Sequence, residues 1–130
     1  MATGVTPAAA RPPARIAVLG STGSVGEQAL DVVRSMPDRF RITALGAGLN
    51  TARLRDQIAE FHPAAANARP GRETDALRAA FPAVAWPSLE AIAVRDDVDV
   101  LLVATSGLAG LAPTIAALRA GKKVAIANKE

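Results

Sequence analysis

The stretch RIAVLGSTGSVGEQALDVV, residues 15–33, decides the fold, because an apolar run meets three evenly spaced glycines and then turns amphipathic. The run at residues 16–19 is short and continuous, as in a strand that is buried on both faces. The apolar residues beyond it recur at helical spacing and predict a helix that ends at Pro37. They are Val25, Ala29, Val32, Val33 and Met36.

Strand and helix patterns keep alternating along the rest of the chain. Strands are predicted at residues 40–45, 64–68, 84–86, 98–104 and 124–127, and helices at residues 51–61, 73–81, 88–94 and 111–120. Thr51 is predicted to cap the helix that it begins. This alternation predicts an α/β, Rossmann-like fold: a doubly wound, mainly parallel sheet with helices on both faces.

The length and composition predict one folded unit. The chain has 130 residues, and half of them are hydrophobic, which suffices for the core of a single domain. Residues 1–14 are rich in Ala and Pro and have no periodicity, so we expect a disordered tail there. We expect residues 15–130 to form the domain.

Composition also excludes several classes of function. The chain has no cysteine and a single histidine, His62, which excludes a His/Cys metal site. Its 15 basic residues outnumber 12 acidic ones, but they are scattered and are not interleaved with aromatics, so we expect no nucleic-acid partner. No apolar run approaches the roughly 20 residues of a membrane span, so we expect no membrane partner and a cytoplasmic location.

The glycine-rich corner is suited to binding a pyrophosphate. It lies where a parallel strand ends and a helix begins, and the helix N-terminus offers unpaired N–H groups with partial positive charge. Gly20, Gly23 and Gly26 allow a tight turn and a close approach of phosphate and helix, and Thr22 and Ser24 add hydroxyls. The spacing G-x-x-G-x-x-G differs from the G-x-G-x-x-G of the usual dinucleotide site, so ordinary turn chemistry remains an alternative.

The end of the second predicted strand bears on the choice of cofactor. An NAD site usually has an acidic residue about 20 residues after the glycines, to hold the ribose 2′-hydroxyl. Residues 45–50, LGAGLN, contain no acid, which permits the 2′-phosphate of NADP(H). Arg53 and Arg55 follow and are candidates for contacting that phosphate, with solvent-facing helix positions as the alternative.

A polar cluster follows the last predicted strand. Asn128, Lys129 and Glu130 come directly after residues 124–127, where ligands of open α/β sheets bind. An amide, an ammonium and a carboxylate at this edge suit a polar, phosphorylated substrate beside a cofactor. A charged exit from a strand into a loop is the alternative.

Three segments together resemble one family. The segments LGSTGSVGEQALDVV, ALGAGLN and GLAGLAPTIAALRAGKKVAIANKE are similar to the amino-terminal, NADPH-binding domain of 1-deoxy-D-xylulose 5-phosphate reductoisomerases. The resemblance implies an enzyme of isoprenoid-precursor synthesis by the non-mevalonate pathway. Such an enzyme converts 1-deoxy-D-xylulose 5-phosphate to 2-C-methyl-D-erythritol 4-phosphate with NADPH and a divalent metal, Mg or Mn. It also implies a sugar phosphate as substrate and a homodimer for the complete enzyme.

The resemblance assigns roles residue by residue. Cofactor-binding roles fall to Thr22, Gly23, Ser24 and Val25 at the pyrophosphate, Gly48 and Asn50 at the adenosine end, and Asn128 and Glu130. Lys129 would reach the substrate, and no catalytic residue or metal ligand falls within this chain. The family often has a basic or small polar residue where this chain has Leu49. The departure affects the contact to the 2′-phosphate, and with it the strength of the preference for NADP(H).

The family continues well beyond the ANKE motif, into a domain that carries the acidic metal ligands. We therefore expect this chain to be a fragment without measurable turnover by itself. Two alternatives stay open at this point. One is a non-catalytic NADP(H)-binding sensor module, and the other is a fragment of a semialdehyde dehydrogenase, whose catalytic cysteine is not in this sequence.

Overall fold

Continuous apolar runs form the centre of a parallel sheet in the computed structural model, which describes residues 11–127. The strands are β1 (Ala14–Leu19), β2 (Phe40–Gly46), β3 (Ala65–Asn67), β4 (Val100–Val103) and β5 (Lys123–Ile126). The helices are α1 (Ser24–Ser35), α2 (Thr51–Phe61), α3 (Arg72–Ala80), α4 (Leu89–Ala93) and α5 (Leu111–Arg119). The sheet order is β3-β2-β1-β4-β5, with every neighbouring pair parallel.

The core has two halves, one on each face of this sheet. Side chains of β1 alternate between them: Ala17 and Leu19 face one half and Val18 faces the other. The first half includes α4 and α5 through Ile92 and Ala117. The second includes α1, α2 and α3 through Leu30, Leu54, Ile58 and Leu77. Helices therefore cover both faces, and the predicted doubly wound α/β fold is confirmed.

The strand order places a binding crevice at the sheet centre. The chain winds outward from β1 through β2 to β3, and it then returns to the other side of β1 with β4. In such sheets, ligands bind outside the carboxyl ends of the strands at the point where the order reverses. Here that point lies between β1 and β4, directly beside the glycine-rich corner.

Two local predictions are wrong in detail. Residues 84–86 do not form a strand but make a single bridge, from Ala85 to Ala65, because prolines at 82 and 87 leave too little chain to extend it. The cap of α2 is Asn50 rather than Thr51, and its side-chain Oδ1 accepts a hydrogen bond from the Arg53 N–H at 3.1 Å.

A glycine determines which face of α1 packs against the rest of the protein. Its buried residues are Gly26, Leu30 and Val33, whereas Val25, Val32 and Met36 are partly exposed. The helix therefore turns its least bulky residue toward the corner, and its apolar stripe is only partly covered.

The helices described for residues 11–127 are all too short or too polar to span a bilayer.

Candidate functional site

The loop after β1 is held between the ends of its two neighbouring strands. The N–H groups of Gly20 and Ser21 both donate to the Gly46 carbonyl oxygen at the end of β2, at 2.8 and 2.9 Å. Gly20 has φ +83°, and a Cβ there would lie 2.5 Å from the Ala104 carbonyl oxygen beyond β4. The turn therefore requires glycine for its backbone angle and for its closeness to β4.

The N-terminus of α1 points into the open side of this loop. Within residues 11–127 no side chain caps the helix, whose N-cap residue is Gly23 in an extended conformation. The first N–H groups of an α-helix have no partner within the helix, so a ligand or water must satisfy them. A Cβ on Gly23 would lie 3.6 Å from its nearest protein atom, an ordinary contact. The protein itself therefore does not require glycine at this position, and the missing side chain leaves space at the helix end.

Gly26 has a different role in the same helix. A Cβ at Gly26 would lie 2.1 Å from the Gly20 carbonyl oxygen, which no side chain can tolerate. This glycine lets α1 approach the loop closely. The three glycines thus serve a turn, an open helix end and close packing, as the sequence pattern predicts.

The loop after β2 forms the second wall. Gly48 has open space around the position of a Cβ, and Leu49 is 74% exposed. The Asn50 carboxamide oxygen caps α2, which leaves its NH₂ group for a ligand. No acidic residue lies between Gly46 and Asn50.

Both loops line a cleft of about 770 Å³ at the carboxyl edge of the sheet. A third loop, after β4, contributes Thr105, whose Oγ1 is buried and has no hydrogen-bond partner among the described residues. Among residues 11–127, the lining consists of glycines, neutral polar residues and apolar residues, with Arg69 as the one charged exception. The cleft, with its uncapped helix end and an acid-free wall, fits a dinucleotide phosphate.

The predicted cofactor residues divide into two groups. The structure brings six of them to the cleft: Thr22, Gly23, Ser24, Val25, Gly48 and Asn50. The predicted residues Asn128, Lys129 and Glu130 lie outside the described residues, although Ala127, the residue before them, lines the cleft.

The two arginines singled out from the sequence do not line the cleft. Arg53 pairs with Glu27 of α1, Nη2 to Oε1 at 3.0 Å, and lies 3.6 Å from Asp56. The Arg53 hydrogen bond lowers the pKa of Glu27, so this first-turn carboxylate stays charged and paired. Arg55 is exposed on α2.

Sequence reasoning missed Arg69. It lies two residues beyond β3, and its N–H donates to the Gly48 carbonyl oxygen at 3.1 Å. The signal for Arg69 is a basic residue that closely follows a strand, where that strand is the neighbour of β2. The β3 pattern is too weak in sequence to show that neighbour relation.

Residues 11–127 contain no cluster of three or more His, Asp or Glu side chains placed to hold a metal ion. The described residues therefore do not fit the divalent metal that the resemblance implies.

Comparison with known proteins gives one family. A family model described as 1-deoxy-D-xylulose 5-phosphate reductoisomerase matches residues 16–130. A reductoisomerase of that name from Pelotomaculum thermopropionicum is 42% identical over 122 residues, which cover 88% of this chain and 32% of the relative. One from Anaeromyxobacter sp. (strain K) is 45% identical over 125 residues, 89% of this chain and 31% of the relative. The chain thus spans about a third of the length of the curated relatives it matches.

Solved structures give the same result. A crystal structure of DOX-P reductoisomerase in complex with NADPH, fosmidomycin and magnesium matches with a TM-score of 0.83 and 34% identity, over 90% of this chain and 30% of that one. The Zymomonas mobilis enzyme in complex with NADPH matches with a TM-score of 0.80 and 33% identity, over 90% of this chain and 32% of that one.

Proposed function

The chain belongs to the 1-deoxy-D-xylulose 5-phosphate reductoisomerase family, and we propose that its residues 15–130 form the NADPH-binding domain of such an enzyme. The enzyme converts 1-deoxy-D-xylulose 5-phosphate to 2-C-methyl-D-erythritol 4-phosphate. NADPH, when bound, supplies the hydride that reduces the rearranged aldehyde. Membership in this family also decides against the semialdehyde dehydrogenase alternative.

One observation carries the proposal: the uncapped N-terminus of α1 opens into the 770 Å³ cleft at the switch point of the sheet. Partial positive charge and unpaired N–H groups at that helix end favour a pyrophosphate. Gly23 leaves room for it, and the hydroxyl side chains of Thr22 and Ser24 line the same space. Relatives of this chain have been solved with NADPH, which supports the choice of dinucleotide.

The remaining residue roles extend along the cleft. We assign Val25 to the pyrophosphate with its neighbours, and Gly48 and Asn50 to the adenosine end, since they line the wall formed after β2. Asn128 and Glu130 are proposed to contact the cofactor and Lys129 the substrate, because they follow directly on Ala127 at the cleft.

The catalytic step needs groups that the described residues do not supply. A divalent metal, Mg or Mn, belongs to the proposed enzyme, but no ligand for it is assigned here. We therefore expect residues 1–130 to bind cofactor without turnover, in an assay with NADPH, Mg²⁺ and 1-deoxy-D-xylulose 5-phosphate. Clear NADPH oxidation that depends on the sugar phosphate would contradict this expectation.

Family membership also supports proposals for the oligomeric state and the location of the complete enzyme. We propose a homodimer for the complete enzyme, testable by sedimentation of the full-length protein. We also propose a cytoplasmic location, testable by cell fractionation, to which a sequence without cysteine is suited.

Calorimetric titration of the purified chain with NADPH and with NADH tests the cofactor assignment. We expect NADPH to bind at least about tenfold more tightly, a difference of about 1.4 kcal/mol. Far-UV circular dichroism establishes first that the chain is folded. A folded chain that binds neither nucleotide would overturn the proposal, and equal binding would retain the dinucleotide site but remove the preference for NADPH.

A further inference from the structure

Arg69 is the one charged residue among those that line the cleft in residues 11–127. It is exposed, and it forms no ion pair with any other described residue. The other lining residues that the structure describes are neutral and include no carboxylate. Within the described residues, any anionic group of a ligand in this cleft therefore meets one guanidinium and no opposing acid.

Hydrogen bonds fix the position of the Arg69 backbone beside the cleft. The Arg69 N–H donates to the Gly48 carbonyl oxygen at 3.1 Å, and the Ala47 N–H donates to the Asn67 carbonyl oxygen at 2.8 Å. The Thr74 hydroxyl donates to the Arg69 carbonyl oxygen at 2.6 Å. The segment after β3 is thus tied to the loop after β2, so the exposed Arg69 starts from a backbone position beside Gly48, at the rim of the cleft.

The other candidates for the same task are unsuitable. Arg53 is paired with Glu27 and Asp56, and neither Arg53 nor Arg55 lines the cleft. Leu49, which lies between Gly48 and Asn50, is apolar and has no hydrogen-bonding group on its side chain. The end of β2 therefore offers no cation of its own.

The loop after β2 is where a dinucleotide places its adenosine ribose, so a charge there distinguishes a 2′-phosphate from a 2′-hydroxyl. We infer that Arg69 is the residue that recognises the 2′-phosphate and sets the preference for NADPH over NADH. This inference rests on the proposed function, because it requires a dinucleotide in the cleft. A guanidinium is suited to the task because its planar fork can donate two parallel hydrogen bonds to phosphate oxygens.

The test compares the wild-type chain with Arg69→Gln in titrations with NADPH and NADH. The variant is expected to bind NADPH about tenfold more weakly or worse, while NADH affinity changes by less than about twofold. Adenosine 2′,5′-bisphosphate and adenosine 5′-monophosphate, which differ only in the 2′-phosphate, are expected to give the same contrast. Arg69→Lys is expected to keep part of the preference, because the ammonium keeps the charge but lacks the fork.

Arg72→Gln is the matched control, since Arg72 is also exposed, forms no ion pair within residues 11–127 and does not line the cleft. It is expected to bind both nucleotides as the wild type does. If the wild type prefers NADPH and Arg69→Gln keeps that preference, or loses both nucleotides equally, the inference about Arg69 is overturned and the proposed function stands. If the folded wild type binds neither nucleotide, the proposed function fails and the inference with it.

Discussion

Gly26 and Gly23 lie three residues apart at the start of α1, yet they are glycines for different reasons. A Cβ at Gly26 would lie 2.1 Å from the Gly20 carbonyl oxygen and 2.8 Å from the Ser21 Cα, both of them backbone atoms. Because backbone cannot rotate aside as a side chain can, Gly26→Ala must push α1 away from the loop. We expect it to lower the free energy of unfolding by about 1–3 kcal/mol, measured by urea denaturation.

Gly23→Ala is the matched variant, and it should affect binding more than folding. Its Cβ would make only an ordinary 3.6 Å contact, so the free energy of unfolding should change by less than about 1 kcal/mol. The added methyl group occupies space at the N-terminus of α1, so NADPH affinity should fall in calorimetric titration. Unchanged affinity in a folded Gly23→Ala chain would show that the pyrophosphate does not lie at this helix end.

Site residues that lie close together in the sequence could be predicted, whereas those brought to the cleft by long-range pairing could not. The glycine-rich corner is local: strand, turn and helix are consecutive, so the position of Thr22, Gly23 and Ser24 at the carboxyl edge of the sheet could be predicted from their order alone. Arg69 reaches the cleft because β3, which precedes it, pairs with β2. A three-residue strand without β-branched residues gives little evidence of that pairing in the sequence. Arg53 was a plausible candidate by position, but its pairing with Glu27 is a contact across 26 residues of chain.

At the scale of elements, the strands with continuous apolar runs were predictable and the marginal segments were not. β1 and β4 are both interior strands of the sheet, and half of the residues in each are fully buried, which is why they read as unbroken apolar stretches. Residues 84–86 carry similar residue types but lie between two prolines and make only one bridge. The packed face of α1 also needed the structure, because the close contact at Gly26 sets the rotation of the helix.

An ion pair joins β1 to the segment before β4, at the edge of the sheet opposite the cleft. The Arg15 side chain donates through Nε and Nη2 to the two carboxylate oxygens of Asp99, at 3.1 and 3.0 Å. The Arg15 backbone N–H also donates to Asp99, at 2.9 Å. The Arg15 side-chain hydrogen bond, followed by the backbone one, lowers the pKa of Asp99 from 3.8 to about 2.

Asp99→Asn tests this contribution through its pH dependence. A carboxylate whose pKa is lower in the folded chain stabilises the fold above its unfolded pKa, and the effect disappears as the pH falls through the folded value. The variant should therefore be less stable at neutral pH, by about 1 kcal/mol at most, because both side chains are more than a third exposed and water screens them. The difference should shrink between about pH 4 and about pH 2.

The measurement is urea denaturation of both proteins across that pH range. Asp38→Asn is the control, because Asp38 is exposed and forms no ion pair within residues 11–127. It should leave stability unchanged at every pH. A difference between wild type and Asp99→Asn that stays constant down to about pH 2 would show that packing, and not the charge, is responsible.

For the molecule as a whole, the outer face of α5 carries a row of exposed apolar side chains. Leu111, Ile115 and Leu118 recur at helical spacing and are exposed, whereas Pro113 and Ala117 face the core. An exposed apolar row of this kind favours association between molecules. We expect the 130-residue chain to self-associate, so that its weight-average sedimentation coefficient rises with protein concentration.

Leu118→Lys should reduce that association, because Leu118 is 59% exposed and a lysine there adds charge to the apolar row without disturbing the core. Val32→Lys is the control, because Val32 is also half exposed but lies on α1, on the other face of the sheet. It should leave the concentration dependence as it is in the wild type, and circular dichroism should show both variants folded. Equal effects from the two substitutions would assign the association to net charge, and a wild type that stays monomeric at every concentration would show that the α5 face is too small to drive it.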